Sequence, residues 1–433
     1  MIQHHEVFWK SRPLKLEEQF IDFLGNALRK LGLVTLGDVN PKLVSRSGLT
    51  ELSREFEVIV IDVSLLMGLK LIGSDETRLE ARKYFAPQSI DDLHLILEAE
   101  GLSAVLDLAS LGRLANKITF KCRSLGVLTA RLKDGALPNA NVLIRFWMRV
   151  MDSRLKLQKD AVPKIQGANK PTQAKKILRV GADFFLSGFW EIIGLSFARP
   201  EICFFSGTKS LDLPSRFAGL LVPISSVDLD NLPESPVIEK GSFLVFVDEA
   251  FSDAGDWLRM NVEPPVEPEV YYPWLRSALS SIEQQFGLPV VILPHPQEGF
   301  QRIDSMKNWL SGFEFWHGPS VSALPQAIGI VFHSSALSLV AHEVGSVPIA
   351  LKISAPNMYL KNSKVKSFAK ALGSRPFEEG RWPAKNNALL KYKADPKTRD
   401  RMRKLYLGPP CVPRESLIAA VLIERLNRKI AKD

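Results

Sequence analysis

The chain has 433 residues, 46% of them hydrophobic and 24% charged, a globular composition whose length suits two units of roughly 200 residues better than one core. No uninterrupted apolar run reaches the ~18 residues a membrane-spanning helix needs, and Met1–Arg12, with His4, His5, Glu6 and Trp9, does not read as a signal peptide. Fifty-six Lys and Arg against 47 Asp and Glu give a net charge of +9, and three scattered cysteines (Cys122, Cys203, Cys411) fit a reducing cytoplasm rather than a disulfide framework or a zinc site.

In chain order, Leu16, Phe20, Phe23, Leu24, Leu28 and Leu31 recur at helical spacing, and Gly32 is a natural helix stop. Glu57–Ser64 (EVIVIDVS) is a β-branched run ending in Asp and Ser, the pattern of a buried parallel strand at its carboxyl edge. A helix around Asp91–Glu100 precedes a strand at Ala104–Leu108 and another at Val127–Ala130. Asn139–Lys159 reads as a long helix, and Ala182–Ser187 and Ile202–Phe205 as strands. Pro214–Ser242 is rich in turn formers and reads as a linker. Beyond it, strands at Phe243–Asp248, Pro289–Leu293, Ile328–Phe332 and Val347–Leu351 alternate with helices at Pro273–Phe286, Arg302–Ser311 and Ser335–Val344. Glu415–Ile430 is an amphipathic helix with Leu417, Val421, Leu422 and Leu426 on one face, suited to packing back across the junction. Alternating strands and helices predict an α/β protein with parallel sheets. Two such series make a pair of facing Rossmann-like domains, 1–225 and 240–412, followed by a crossover helix at 413–433.

The chemistry concentrates at strand ends of the second series. Leu293-Pro294-His295-Pro296 follows a strand, and Pro296 biases His295 toward an extended backbone, so its imidazole is presented to a phosphate or proton. His333-Ser334-Ser335-Ala336 follows another strand and opens a helix, where hydroxyls and free N–H groups form an anion site; Ser334 equally suits an N-cap. Asp248-Glu249, with Asp253 and Asp256 behind, ends a third strand and offers a general base. Glu343, further along the predicted helix, is a candidate for a ribose or sugar hydroxyl. Weaker candidates are Asp62 with Ser64, and Ser206-Gly207-Thr208-Lys209, which lacks the spacing of a phosphate-binding Walker loop.

The succession of an acidic pair, His-Pro and Ser-Ser after three strands resembles bacterial GT-B sialyltransferases and polysialyltransferases, and the Kdo and nonulosonate transferases of capsule and lipopolysaccharide assembly. The stretches YYPWLRSALSSIEQQFGLPVVILPHPQEGF and VFHSSALSLVAHEVGSVPIAL carry the resemblance, which covers about Phe243 to Leu351. It implies that Asp248 or Glu249 is the base on the acceptor, that His295 contacts the donor phosphate, and that Ser334 and Ser335 hold that phosphate. It further implies a CMP-sugar donor, inversion at the anomeric carbon, and no catalytic metal or cofactor. The family pattern often has Gly after the acidic pair; here Ala250 follows, which puts a turn needing positive φ in question.

The expected partners are a nucleotide-sugar donor and a glycan or lipid-linked acceptor. Lys352–Lys404 is rich in cations and suits an anionic inner-membrane surface. Nucleic acid is not expected, because no recognition motif accompanies the charge. Two other readings stand beside this one: a CDP-polyol phosphotransferase of the teichoic-acid type, and a non-catalytic GT-B relative that binds a glycan or a partner.

Overall fold

The computed structural model describes residues 29–37, 44, 47–69, 83–109, 112–135, 138, 199–233, 241–252, 264, 266–295, 300–354, 359–378, 395–410 and 414–431. The predicted helix at Asn139–Lys159, the strand at Ala182–Ser187 and residues Leu16 to Leu28 lie outside them.

The fold is α/β, with two all-parallel sheets in series. The first sheet contains β1 (Arg29–Thr35), β2 (Phe56–Asp62), β3 (Lys83–Phe85), β4 (Ala104–Asp107), β5 (Leu128–Lys133), β6 (Ile202–Phe205) and β7 (Leu220–Pro223), in the order β3-β2-β1-β4-β5-β6-β7. The second contains β8 (Leu244–Val247), β9 (Val290–Leu293), β10 (Glu314–Phe315), β11 (Gly329–Phe332) and β12 (Val347–Ala350), ordered β10-β9-β8-β11-β12. Both orders reverse beside the first strand, at β1/β4 and β8/β11. In an open parallel sheet this reversal is where ligands bind, outside the carboxyl ends.

The second sheet forms because its strands are continuous apolar runs buried on both faces. Val245, Val247, Val291, Leu293, Ile330 and Phe332 join one core cluster, while Leu244, Phe246, Val290, Ile292, Val331 and Ile349 join the other. The alternation is the period-two geometry of a strand, and each such side chain contributes about 1.5–3 kcal/mol by leaving water. The helix Pro268–Phe286 covers the second face through Tyr271, Tyr272, Leu275, Ala278, Leu279 and Ile282, and ends at Gly287, a left-handed C-cap at φ 63°.

Three predicted elements differ. Leu31 and Gly32 belong to β1, not to a helix end: Leu31 and Leu33 pack on one face of the sheet, and Val34 on the other. A Cβ at Gly32 would lie 2.7 Å from Leu102 Cδ1, the end of a flexible side chain that would have to turn aside. The stretch read as a linker contains β7, the edge strand of the first sheet, and a one-turn helix at Val227–Asp230. The helix expected at Ser335–Val344 is a 3₁₀ segment, Ala336–Val340, followed by turns.

The terminal helix Arg414–Ile430 returns to the first sheet, where Ile418, Ala419, Leu422 and Leu426 pack with Leu31, Leu33, Val60 and Leu106. The chain entering it runs hard against the ends of β6 and β7. Gly207 (φ 72°) meets the backbone of Leu405 and Tyr406, and Gly408 (φ 77°) meets the carbonyl of Ile224, so neither site has room for a Cβ. Ser226 N–H donates to the Leu407 carbonyl at 2.6 Å. Arg414, almost wholly buried, pairs with Asp134 at 3.1 Å, whose other oxygen accepts from Ser206 Oγ at 2.9 Å.

Candidate functional site at the carboxyl edge of the second sheet

Because β8 lies between β9 and β11, the segments following all three are neighbours. Asp248 follows β8 and is buried; its Oδ1 accepts from Ala250 N–H at 3.0 Å and its Oδ2 from His295 N–H at 3.4 Å. The first bond closes a turn that sets Ala250 at φ 50°, the one non-glycine residue at positive φ among the described residues. The turn questioned from sequence is therefore made with Ala in the left-handed region, at a cost of about 1–2 kcal/mol. Ala250 is fully buried beside Phe251, and that packing holds the conformation.

Glu249 turns the opposite way, across the reversal point. Its Oε1 accepts from the backbone N–H groups of His333 (3.0 Å) and Ser334, and its Oε2 accepts from Ser334 Oγ at 2.8 Å. Burial raises the Glu249 carboxyl above the usual carboxylate range, and the bonds from Ser334 and His333 pull against that rise. A hydroxyl has one proton to give, so Ser334, which donates to Glu249, has none left for a phosphate. Ser335 differs: its Oγ accepts from Leu337 N–H at 3.3 Å as the N-cap of the 3₁₀ segment, and its own proton remains to be donated.

His333 faces inward and is fully buried. Its ring packs edge-on against Phe246 and Phe251 and lies 6.0 Å from Trp274. Nδ1 lies 2.7 Å from the Leu351 carbonyl and Nε2 lies 3.0 Å from Tyr271 Oη. A carbonyl only accepts, so Nδ1 carries the proton and Nε2 accepts from the tyrosine. Burial lowers the imidazole to about 4, which keeps it neutral. The histidine locks the β11 end to β12 and to the covering helix, a role that the His-Ser-Ser motif did not separate from the serines. Tyr271 lies before the helix expected at Pro273–Phe286, and no sequence signal singled it out.

Asp248 with the His295 backbone, and Glu249 with Ser334, thus form two hydrogen-bonded pairs joined by the Asp248–Glu249 peptide bond, with Ser335 the next residue. Pro296, Asp253 and Asp256 lie outside the described residues. Glu343 stands apart in a two-pronged ion pair with Arg403, at 2.8 and 2.6 Å. Both its oxygens are thereby committed to a guanidinium, whose own proton affinity rises in return. Arg403 was legible only as one cation in a basic stretch. In the same stretch Lys352 pairs with Glu378, and Arg401 donates to the Ala371 carbonyl.

The weaker candidates are held internally. Asp62 accepts from Gly37 N–H, from the N–H and Oγ of Ser64, and from Tyr84 Oη, organising the turns after β1 and β2. Ser206 and Gly207 receive the returning chain. Among the described residues no helix is long and apolar enough to cross a membrane.

No protein-family model matches the chain, and no curated protein matches it in sequence. Similar solved structures include the Staphylococcus aureus MnaA–UDP complex, 10% identical over 93% of this chain and 97% of that one, with a TM-score of 0.44. The UDP-GlcNAc 2-epimerase of Neisseria meningitidis bound to UDP-GlcNAc is 12% identical over 93% and 100%, with a TM-score of 0.42. The calicheamicin glycosyltransferase CalG4 is 13% identical over 93% and 98%, with a TM-score of 0.47.

Proposed function

We propose that the chain is a glycosyltransferase that takes a nucleotide-activated sugar at the carboxyl edge of its second sheet, with the donor a CMP-sugar of the sialic acid, Kdo or nonulosonate type. The observation that carries this reading is the tying of three strand ends, through Asp248–His295 and Glu249–Ser334, at the point where the strand order reverses. The acceptor is a glycan or a lipid-linked glycan of a surface polysaccharide.

In the proposed reaction an acceptor oxygen attacks the anomeric carbon as the bond to the nucleotide phosphate breaks, inverting the centre. The acceptor proton passes to Glu249, the carboxylate whose pKa is raised, through the Oε2 that carries a single hydrogen bond. The electron pair leaves on the phosphate, where the Ser335 hydroxyl and the His295 side chain meet the developing charge. Asp248, with both oxygens on backbone amides, fixes the Ala250 turn and the His295 backbone. No metal or cofactor enters this scheme. Glu343 is assigned to holding Arg403 rather than a ribose.

Titration calorimetry with CMP, CDP and UDP on the full chain tests the reading. CMP is expected to bind, with affinity about 10-fold weaker in Ser335→Ala for loss of one phosphate hydrogen bond. A preference for CDP-glycerol or CDP-ribitol over CMP-sugars would instead support the polyol-phosphate reading. One observation favours a binding protein without transfer: both carboxylates already hold backbone N–H groups. That alternative predicts CMP binding with no transfer or donor hydrolysis, and no loss of biological activity in Glu249→Gln.

A further inference from the structure

The outer edge of the second sheet carries an open pocket of about 430 Å³ that the site described above does not use. Phe243 and Pro289 stand just before β8 and β9, and Trp316 and His317 just after the short edge strand β10; all four line the pocket, with Ser242 and Glu314. Ser242, Phe243 and Pro289 set it toward the amino ends of the strands, whereas Asp248, Glu249, Ser334 and Ser335 lie beyond the carboxyl ends. Backbone bonds fix the positions that carry its two rings. Trp316 N–H donates to the Ile292 carbonyl at 2.8 Å, and the Phe243 carbonyl accepts from Ile328 N–H at 3.0 Å. The ring centroids lie 6.5 Å apart, with the planes 24° from parallel. The indole Nε1 is buried, so the ring offers the pocket carbon atoms rather than its N–H.

Three polar side chains line the same pocket: the Ser242 hydroxyl, the Glu314 carboxylate and the His317 imidazole. All three residues are exposed, and none of these groups is engaged in a hydrogen bond or ion pair among the described residues. Glu314 is the one carboxylate, and no described lysine or arginine lines the pocket. That pattern selects against nucleotides, phosphates and acidic sugars, which would meet a carboxylate without a countering cation. Near-parallel rings suit a ligand with a flat face, whereas a cage for an ammonium ion sets rings at steep angles around one point. A proline or other apolar side chain of a peptide would cover the rings but offer nothing to the hydroxyl, carboxylate and imidazole. A neutral pyranose has both parts. Its C–H face can lie on the rings, and its hydroxyls can donate to Glu314 and exchange hydrogen bonds with Ser242 and His317.

We infer that this pocket is a binding subsite for a neutral sugar residue, separate from the carboxyl edge of the sheet. Binding there needs neither a nucleotide nor the residues tied at the strand ends, so it does not rest on the reaction proposed above.

The test is saturation-transfer NMR of the full chain with the methyl glycosides of glucose, galactose and N-acetylglucosamine, with CMP, tetramethylammonium and a proline-rich peptide as comparison ligands. At least one glycoside is expected to bind in the millimolar range, with transfer strongest to the C–H protons of one ring face. Trp316→Ala is expected to weaken that binding about 10-fold through loss of the stacking surface. Glu314→Gln, at an exposed position with no partner to lose, is expected to weaken it about fivefold and to leave the thermal midpoint unchanged. No transfer to any of the glycosides, or transfer that both variants leave unaltered, would overturn the inference. So would tighter binding of tetramethylammonium or the peptide through Trp316, or displacement of the glycoside by CMP, which would merge this pocket with the donor site. CMP titration of Glu314→Gln is expected to match wild type, so failure of this reading is distinguishable from failure of the donor reading.

Discussion

Acidification is expected to unlock the second sheet through His333. The perturbation is protonation of an imidazole enclosed by Phe246, Phe251, Tyr271 and Trp274, with the Leu351 carbonyl on Nδ1 and the Asp248 charge favouring the proton. Protonation at Nε2 also turns that nitrogen into a donor facing Tyr271 Oη, which must then reverse its own hydrogen bond. The folded value is about 4 against 6.5 for an unhindered imidazole. A depressed folded value means stability that is complete above 6.5 and lost as pH falls through about 4. The difference amounts to about 3 kcal/mol between neutral pH and about pH 4. Glu249 acts with the opposite sign: its raised folded value removes stability as pH rises through it, so acid returns part of what His333 loses. The two separate by comparing wild type with His333→Gln, whose amide can donate to Leu351 and accept from Tyr271 without titrating. Urea unfolding followed by tryptophan fluorescence at neutral pH and at about pH 4 measures each loss. Wild type is expected to lose about 3 kcal/mol more than the variant in the transition of the second sheet. Equal losses would refute the neutral, inward-facing histidine.

Three further outcomes follow from local geometry. Gly408→Ala drives a Cβ into the Ile224 carbonyl at a positive φ, and is expected to destabilise by about 3 kcal/mol or more, read as a lower thermal midpoint; a neutral effect would contradict the close crossing. Asp107→Ala leaves the almost fully buried Arg131 without the carboxylate 3.5 Å from its Nε, at a cost of about 3–5 kcal/mol, whereas Asp107→Leu with Arg131→Met is expected to stay within about 1 kcal/mol of wild type by urea unfolding. Ala250→Gly relieves about 1 kcal/mol of left-handed strain while losing about 0.8 kcal/mol of buried methyl, so it is expected near neutral, and Ala250→Val to destabilise clearly. Similar stability of the two Ala250 variants would argue against a positive φ there.

The second sheet was largely legible because burial on both faces writes itself as short apolar runs; Phe243–Asp248, Pro289–Leu293, Ile328–Phe332 and Val347–Leu351 each enclose an observed strand within a residue or two. β1 was not, since Leu28 and Leu31 continue a helical spacing and Gly32 looks like a stop, when it sits inside the strand with Leu102 and Val105 packed against it. β3 and β10 are three and two residues long, too short for a period to register, and β7 sits among prolines that read as a linker. At the site, sequence located the loops but not the directions of their side chains. That Glu249 reaches Ser334 is set by the strand order β9-β8-β11, a long-range property, and Glu343 meets Arg403 across 60 residues.

The central claim is that the ends of β8, β9 and β11 together hold a nucleotide's phosphate. A structure of the chain with CMP or a CMP-sugar bound tests it most directly. The account expects the phosphate outside the β8/β11 junction, within hydrogen-bond reach of Ser335 Oγ and the His295 side chain, with Glu249 still on Ser334. A nucleotide found at the β1/β4 junction of the first sheet, or one whose phosphate touches neither Ser335 nor His295, would contradict it.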